Sequence, residues 1–255
     1  MSQPDHTVDI IGVSLTNLSR QELFSQLNEG VFFSPNVDVL MKLRQDAAFF
    51  ALFHKAEFRI CDSQIVKLAG SFLGTPIKEK ISGSDFLGEY CAYHAANPGV
   101  RLFLLGAGPG VALEAQRRIN AHIGREIVVG AHSPSFGFEK RPEECAELAR
   151  LVQASGATTL AVGVGAPKQE KFIMAWRAAM PGVKVFLAVG ATIDFEAGNV
   201  QRAPAWMSRN GLEWAYRLWS EPKRLWRRYL VDDIPFFWLL LKQRFGLLKP
   251  PHRSA

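Results

Sequence analysis

Leu160-Ala161-Val162-Gly163-Val164-Gly165-Ala166-Pro167-Lys168-Gln169-Glu170-Lys171 is the stretch whose reading decides the fold. Residues 158–162 form an apolar run of strand length, Gly163 and Gly165 let the backbone turn sharply, and Pro167 suits the first turn of a helix. A strand, a glycine turn and a helix start therefore follow one another directly. Such a junction aims free backbone N–H groups and the positive helix end at one spot, where an anion can sit. Lys168, Gln169 and Glu170 offer side chains to a polar ligand there. The same residues also serve an ordinary β-to-α connection.

Outward from this unit, strands and helices alternate. Residues 7–14 read as one strand, and Ser19 with Glu22 forms a capping box for a helix through Leu27, closed by Gly30. Residues 31–33 make a short buried strand ending in Ser34-Pro35-Asn36, and one helix with a stripe including Leu40, Leu43, Phe50 and Leu52 follows. Residues 58–61 are the next strand, leading into Asp62, Ser63 and a helix over 64–73. Ser82-Gly83-Ser84-Asp85 reads as a loop before a helix over 86–96. Residues 101–105 are a strand entering the turn Gly106 to Gly110, with a helix through His122. Strand 127–131, loop 133–138 and helix 142–154 precede the opening stretch, whose helix runs to about Met180. Strand 183–189 ends in Gly190, Ala191, Thr192, Ile193, Asp194 and Phe195. The expected fold is α/β, a mainly parallel Rossmann-like sheet with helices on both faces.

With 255 residues, 48% of them hydrophobic, the chain can bury a full core, which excludes a disordered or fibrous class. The net charge of +6 implies an acidic partner: nucleic acid, anionic lipid or a phosphorylated substrate. The three cysteines, Cys61, Cys91 and Cys145, lie too far apart to indicate a disulfide framework or a zinc site. Residues 1–6 lack the pattern of a signal peptide, and no apolar run reaches the ~20 residues that cross a bilayer. A cytoplasmic protein is expected, one that can lie against a membrane.

Composition changes after about residue 198. Trp206, Trp214, Trp219, Trp226 and Trp238 interleave with Arg202, Arg209, Arg217, Arg224, Arg227 and Arg228, and the apolar run 234–241 is followed by Lys242, Arg244 and Lys249. Residues 1–198 are read as the α/β core and 199–255 as a helical, membrane-associating appendage, each basic residue near anionic lipid adding about 1 kcal/mol. A helical hairpin packed on the core is the other reading of the same segment.

Several polar residues fall at strand carboxyl ends, where open α/β sheets bind ligands. Asp62, flanked by Ile60 and Cys61, is placed to act as a partly desolvated base, or simply to cap the following helix. Asp194 repeats that placement. Ser34 and Asn36 are ligand contacts or caps, and Lys80 faces a phosphate or water. Gly106, Gly108 and Gly110 tempt a dinucleotide reading, but the third glycine comes one residue early and Glu126 precedes its strand instead of ending it. A phosphate-facing or tight-packing glycine turn remains.

In order along the chain, Ser34-Pro35-Asn36, Asp62, Gly83-Ser84-Asp85, Gly106 to Gly110, Gly163 through Glu170, Gly190 to Phe195, Arg202-Ala203-Pro204, Leu212-Glu213-Trp214, Arg217, Glu221-Pro222, Arg224 and Arg228-Tyr229 form a set. Together they resemble the WecG/TagA/CpsF family of bacterial glycosyltransferases over roughly residues 8–246. The resemblance implies inverting transfer of a sugar from a UDP-sugar donor to a saccharide on a polyprenyl diphosphate, with no cofactor and no bound metal. It implies Asp62 as base, Ser34, Asn36 and Gln169 as substrate contacts, and Arg217, Arg224 and Arg227 as appendage groups that complete the site. Lys80, Asp85, Gly106, Gly108, Gly110, Gly165, Asp194 and Arg202 join the substrate-binding set. Two positions depart from the family pattern. Its Pro-Asp-Gly is Cys61-Asp62-Ser63 here, a variant more similar to xanthan-type glucosyltransferases than to N-acetylmannosamine transferases. A family arginine stands as Lys80, a point charge in place of a bidentate fork.

The residues agree with that chemistry, since the chain contains no Asp-x-Asp to clamp a metal on a departing diphosphate, and arginines with helix N-termini are the natural substitutes. A nucleotide-dependent oxidoreductase and a non-enzymatic membrane or nucleic-acid binder are the competing classes. The second would spread its basic residues along a groove, whereas here they gather with aromatics beside an apolar run, which suits lipid and not nucleic acid.

Overall fold

A computed structural model of the chain describes residues 7–200, 204, 207, 213–220, 222–227 and 231–252; the side chains at 213, 214, 217, 224 and 225 lie outside that description. The apolar runs become six parallel strands: β3 (Gly30–Phe33), β4 (Phe58–Arg59), β5 (Leu102–Gly106), β6 (Val128–His132), β7 (Thr159–Gly163) and β8 (Val185–Ala188), in the order β4-β3-β8-β7-β5-β6. Alternate residues of one strand feed two cores. Leu102 and Leu104 of β5 enter one, Phe103 and Leu105 the other; Val185 and Leu187 of β8 separate from Phe186 and Ala188 in the same way. Two buried faces explain why these strands read as unbroken apolar runs. Each fully buried Leu, Val or Phe contributes about 1.5–3 kcal/mol.

Helices α2 (Val37–Gln45), α3 (Ala47–Phe53), α4 (Gln64–Phe72), α7 (Pro142–Ala154) and α8 (Lys168–Trp176) cover one face. The other is covered by α1 (Arg20–Gln26), α5 (Gly83–Tyr93), α6 (Val111–Ile123) and α9 (Thr192–Glu196). After β5 the chain turns to one face, and after β7 to the other. The loops leaving these neighbouring strands diverge, and a crevice opens between them at the carboxyl edge.

Several expectations hold: the Ser19–Glu22 capping box is formed, and helix α7 has the bounds read from sequence. Others need correction. Residues 7–14 are not one strand but part of an antiparallel hairpin, β1 (Thr7–Ile10) and β2 (Val13–Thr16), outside the main sheet. Its two turn residues, Ile11 and Gly12, both have positive φ, 48° and 80°. The expected single helix after Asn36 breaks at Asp46, whose carboxylate accepts from the Phe49 amide at 2.9 Å and caps α3. That break turns Phe49 and Phe53 fully into the core. Gly30 opens β3 instead of closing α1, and α5 begins at Gly83, so Asp85 lies in its first turn and not in a loop.

The helix Ile234–Arg244 packs back onto the core. Phe236 and Leu240, one turn apart, are buried against it, and the Gln243 side chain accepts from the Ile11 amide (2.6 Å) and donates to the Asp9 carbonyl (3.0 Å). Arg44 donates to the Lys249 carbonyl at 3.1 Å and His252 to the Leu43 carbonyl at 2.8 Å. Ile234, Phe237, Trp238, Leu241 and Phe245 are left exposed. Among the described residues no helix is long and apolar enough to cross a membrane.

Candidate active site

Gly106 ends β5 and Gly163 ends β7, and at both the neighbouring backbone lies too close for any side chain. Gly106 pairs with Gly163, and a Cβ on Gly106 would overlap the Gly163 carbonyl. A Cβ on Gly163 would stand 2.6 Å from the Gly190 carbonyl oxygen. By contrast Gly165 (φ 83°) and Gly190 (φ 58°) have open space where a Cβ would be. Above them lies a pocket of ≈ 340 Å³, walled by these turns, Ala107, Asp194 and loop 134–139 after β6.

Three side chains give the pocket its chemistry. The Lys168 ammonium lies 3.2 Å from Glu139 and 5.1 Å from the centre of the Phe136 ring, which is 95% exposed. Burial pushes the Glu139 carboxyl up, but its own backbone amide and Lys168 together hold it below the usual carboxylate range. A cation, a carboxylate, an exposed ring and a bed of glycine backbone suit a ligand with an aromatic part and a negatively charged part.

Gln169 stands behind this surface, 5% exposed. Its Oε1 accepts from the Gly165 amide (3.2 Å) and the Gly190 amide (3.1 Å), so one carboxamide ties the β7 turn to the β8 turn. Its Nε2 donates to Glu170 Oε1 at 2.9 Å. Glu170 is 2% exposed, and burial pushes its carboxyl up to about 7 despite the Gln169 bond.

Asp62 lies on the same carboxyl edge, beyond the end of β4. It is half-buried, and its Oδ1 accepts from the Gly83 amide at 2.6 Å, so the first turn of α5 addresses it. Ser63, not Asp62, caps α4. Thr192 links this corner to the pocket: its hydroxyl donates toward the Gly83 and Val189 carbonyls, 2.5 Å each. Lys80 acts electrostatically on Cys61, next to Asp62. The Cys61 thiol itself is pushed up to about 12 by burial and is inert.

The remaining expected residues divide. Ser34 is at the end of β3, its hydroxyl donating to the Ala188 carbonyl at 3.4 Å; Asn36 caps α2 through the Val39 amide at 3.2 Å. Gly110 caps α6 in a left-handed conformation, and Gly108 is fastened by the Ser133 hydroxyl, 2.7 Å from its carbonyl. Glu126 is exposed and precedes β6, at the opposite edge from the pocket. Arg202 lies outside the described residues. Arg217 and Arg224 sit in the helices Glu213–Ser220 and Pro222–Arg227 with side chains outside the description, while Arg227 is exposed, 3.9 Å from Asp232. Phe136, Glu139 and Thr192 were not among the expected site residues. An aromatic beside a glycine, in a loop leaving a strand's carboxyl end, was the available signal for the first.

The molecule is thus an α/β protein with an open parallel sheet, a polar, glycine-floored pocket at the strand carboxyl ends, where such sheets seat ligands, and a carboxylate farther along that edge. The chain belongs to the glycosyl transferase WecG/TagA/CpsF family, whose family model matches residues 8–250. It is a glycosyltransferase by family, with a sugar donor and an acceptor as its partners.

Proposed function

We propose that the protein transfers glucose or an N-acetylmannosamine-type sugar from a UDP-sugar to a saccharide on a polyprenyl diphosphate, with inversion and without a metal ion, in synthesis of a bacterial exopolysaccharide or cell-surface polymer. The observation that carries this reading is the family match over residues 8–250, joined to a pocket and a carboxylate on one sheet edge. The donor's nucleoside diphosphate occupies the pocket, its base against Phe136 and its charge against Lys168 and the glycine amides. β4 lies two strand positions from β8, on the order of 10 Å. A diphosphate directed from the pocket across β8 brings the attached sugar toward Asp62.

Asp62 then accepts the proton of the acceptor hydroxyl as that oxygen attacks the anomeric carbon from the face opposite UDP. The new C–O bond forms, the bond to the diphosphate breaks, and UDP leaves with the electron pair. General-base help of this kind is worth ~10²–10⁴ in rate. Arg217, Arg224 and Arg227 neutralise the diphosphate, each such donor worth about 10²–10³. Ser34, Asn36, Lys80, Asp85 and Arg202 complete the acceptor side. The exposed aromatics of the helix Ile234–Arg244, next to Lys242 and Arg244, support a peripheral seat on anionic lipid at the inner face of the cytoplasmic membrane, where a lipid-linked acceptor is found.

A panel of labelled UDP-sugars, incubated with the protein and a short-chain lipid diphosphate saccharide, tests this directly. Label in the lipid product from one donor, with no added metal and in the presence of chelator, is the expected result. Label from no UDP-sugar, or only with divalent metal, removes the reading.

A further inference from the structure

The pocket floor depends on the direction in which one carboxamide faces. Gln169 accepts with Oε1 from the amides of Gly165 and Gly190 and donates with Nε2 to Glu170 Oε1. A carboxamide is nearly symmetric in shape but not in chemistry: turned over, it would present its NH₂ to two N–H donors and push the turns apart. An acceptor on the far side selects the observed orientation. Glu170 supplies it from a buried position where a carboxyl otherwise lowers stability. Its Oε2 has no hydrogen-bond partner among the described residues. The charged groups acting on it are Lys42 and Asp38 of α2. Lys42 donates to Asp38 at 2.9 Å and to the Ala166 carbonyl at 3.3 Å, and so grips the same turn from behind.

We infer that Glu170 is a positioning residue: by taking the Nε2 hydrogen bond it keeps the Gln169 oxygen toward Gly165 and Gly190, and so sets the spacing of the two turns that floor the pocket. Its effect on ligand binding rests on the pocket being the donor site, whereas the spacing belongs to the ligand-free chain.

Two variants separate these levels. Glu170→Met has similar volume and no carboxyl acceptor; Glu170→Gln keeps an amide oxygen that can accept. Amide hydrogen exchange at Gly165 and Gly190, read by NMR on the ligand-free full chain, reports on the turns, and calorimetric titration with UDP reports on the pocket. In Glu170→Met the two amides should exchange roughly tenfold faster, with UDP affinity falling by a similar factor and exchange elsewhere unchanged. Glu170→Gln should bring both back toward wild type. Because a bond to an ionised carboxylate is the stronger one, wild-type protection of these amides, corrected for base catalysis, should rise as pH passes neutrality. That rise should vanish in Glu170→Gln.

Unchanged exchange at both glycines in a folded Glu170→Met overturns the inference. If Glu170→Met does not fold, a Glu170→Gln protein that keeps the wild-type pH step overturns it, and a flat profile supports it. Faster exchange in Glu170→Met together with a wild type that binds no UDP upholds Glu170's role and removes the donor assignment.

Discussion

At the scale of single residues, two carboxyl groups differ most in their surroundings. Glu170 is sealed behind the pocket with its carboxyl raised from 4.5 to about 7 by burial, while Asp62 stands half-buried on the edge, addressed by a helix amide. For Glu170 the raised folded value fixes the sign: its contribution to stability is complete below 4.5 and is lost as pH rises through about 7. Over that span the unfolding free energy of the wild type should fall, relative to Glu170→Gln, by at most about 3 kcal/mol. Urea melts of both proteins across pH check this, and parallel curves would contradict it. His54 and His94, lowered by burial, lose stability in the opposite direction as pH falls, and taking the difference between the two proteins cancels them. Thr192→Val removes the hydroxyl between the Gly83 and Val189 carbonyls and should cost about 1–2 kcal/mol in the same melts. The sequence displayed Asp62, Gln169 and Asp194 because they end strands or open helices. It did not display Thr192, since a threonine after a glycine turn has no distinguishing pattern until the second carbonyl, from residue 83, is brought against it.

At the scale of elements, the strand–turn–helix unit around Gly163 was legible because every signal in it is local: an apolar run, glycines, then a helix start. The hairpin was not. Ile-Gly is a poor turn pair for positive φ at both residues, and the turn is held by distant groups: Gln243 on the Ile11 amide and Arg44 on its carbonyl at 2.7 Å. The break at Asp46 was hidden for a related reason, because an apolar stripe continues in period through a carboxylate that caps a new helix. The glycine turns carry a sharp contrast. Gly163→Ala forces a methyl against the Gly190 carbonyl and Ile193, with no flexible group on the carbonyl side to yield, and should destabilise by about 3 kcal/mol or more. At Gly108 a methyl meets Val111 at an ordinary 3.7 Å, and Gly108→Ala should stay within about 1 kcal/mol of wild type. Denaturant midpoints of the two variants decide between packing and mere flexibility as the reason for these glycines; equal midpoints would sink the packing explanation.

At the scale of the whole molecule, the sheet carries the pocket and Asp62 along one edge, and the chain's end folds back over the hairpin. That return changes how membrane association must be tested. Cutting after residue 198 would strip Phe236 and Leu240 from the core, so a loss of function would report unfolding as readily as lost docking. Replacing exposed residues avoids this: Trp238→Ser with Phe245→Ser should weaken sedimentation with anionic vesicles at least roughly tenfold and leave the thermal midpoint unchanged. Added salt should weaken the wild-type interaction further, and equal vesicle binding by the double variant would remove this helix from the lipid surface. The basic, aromatic-rich composition after residue 198 was visible in the sequence, but the packing of the last helix on residues 9–11 was not, since nothing local joins segments more than two hundred residues apart. Most of the site's outline was legible as strand ends; its depth was not, because Phe136 and Glu139 come from a loop that reads only as a connection. The central claim is that Asp62 takes the acceptor's proton during glycosyl transfer. Initial transfer rates of wild type and Asp62→Asn, measured with saturating UDP-sugar and lipid-linked acceptor alongside UDP affinity, test it most directly. A rate lower by ~10²–10⁴ with UDP affinity unchanged is the expected result, and an undiminished rate in Asp62→Asn would contradict it.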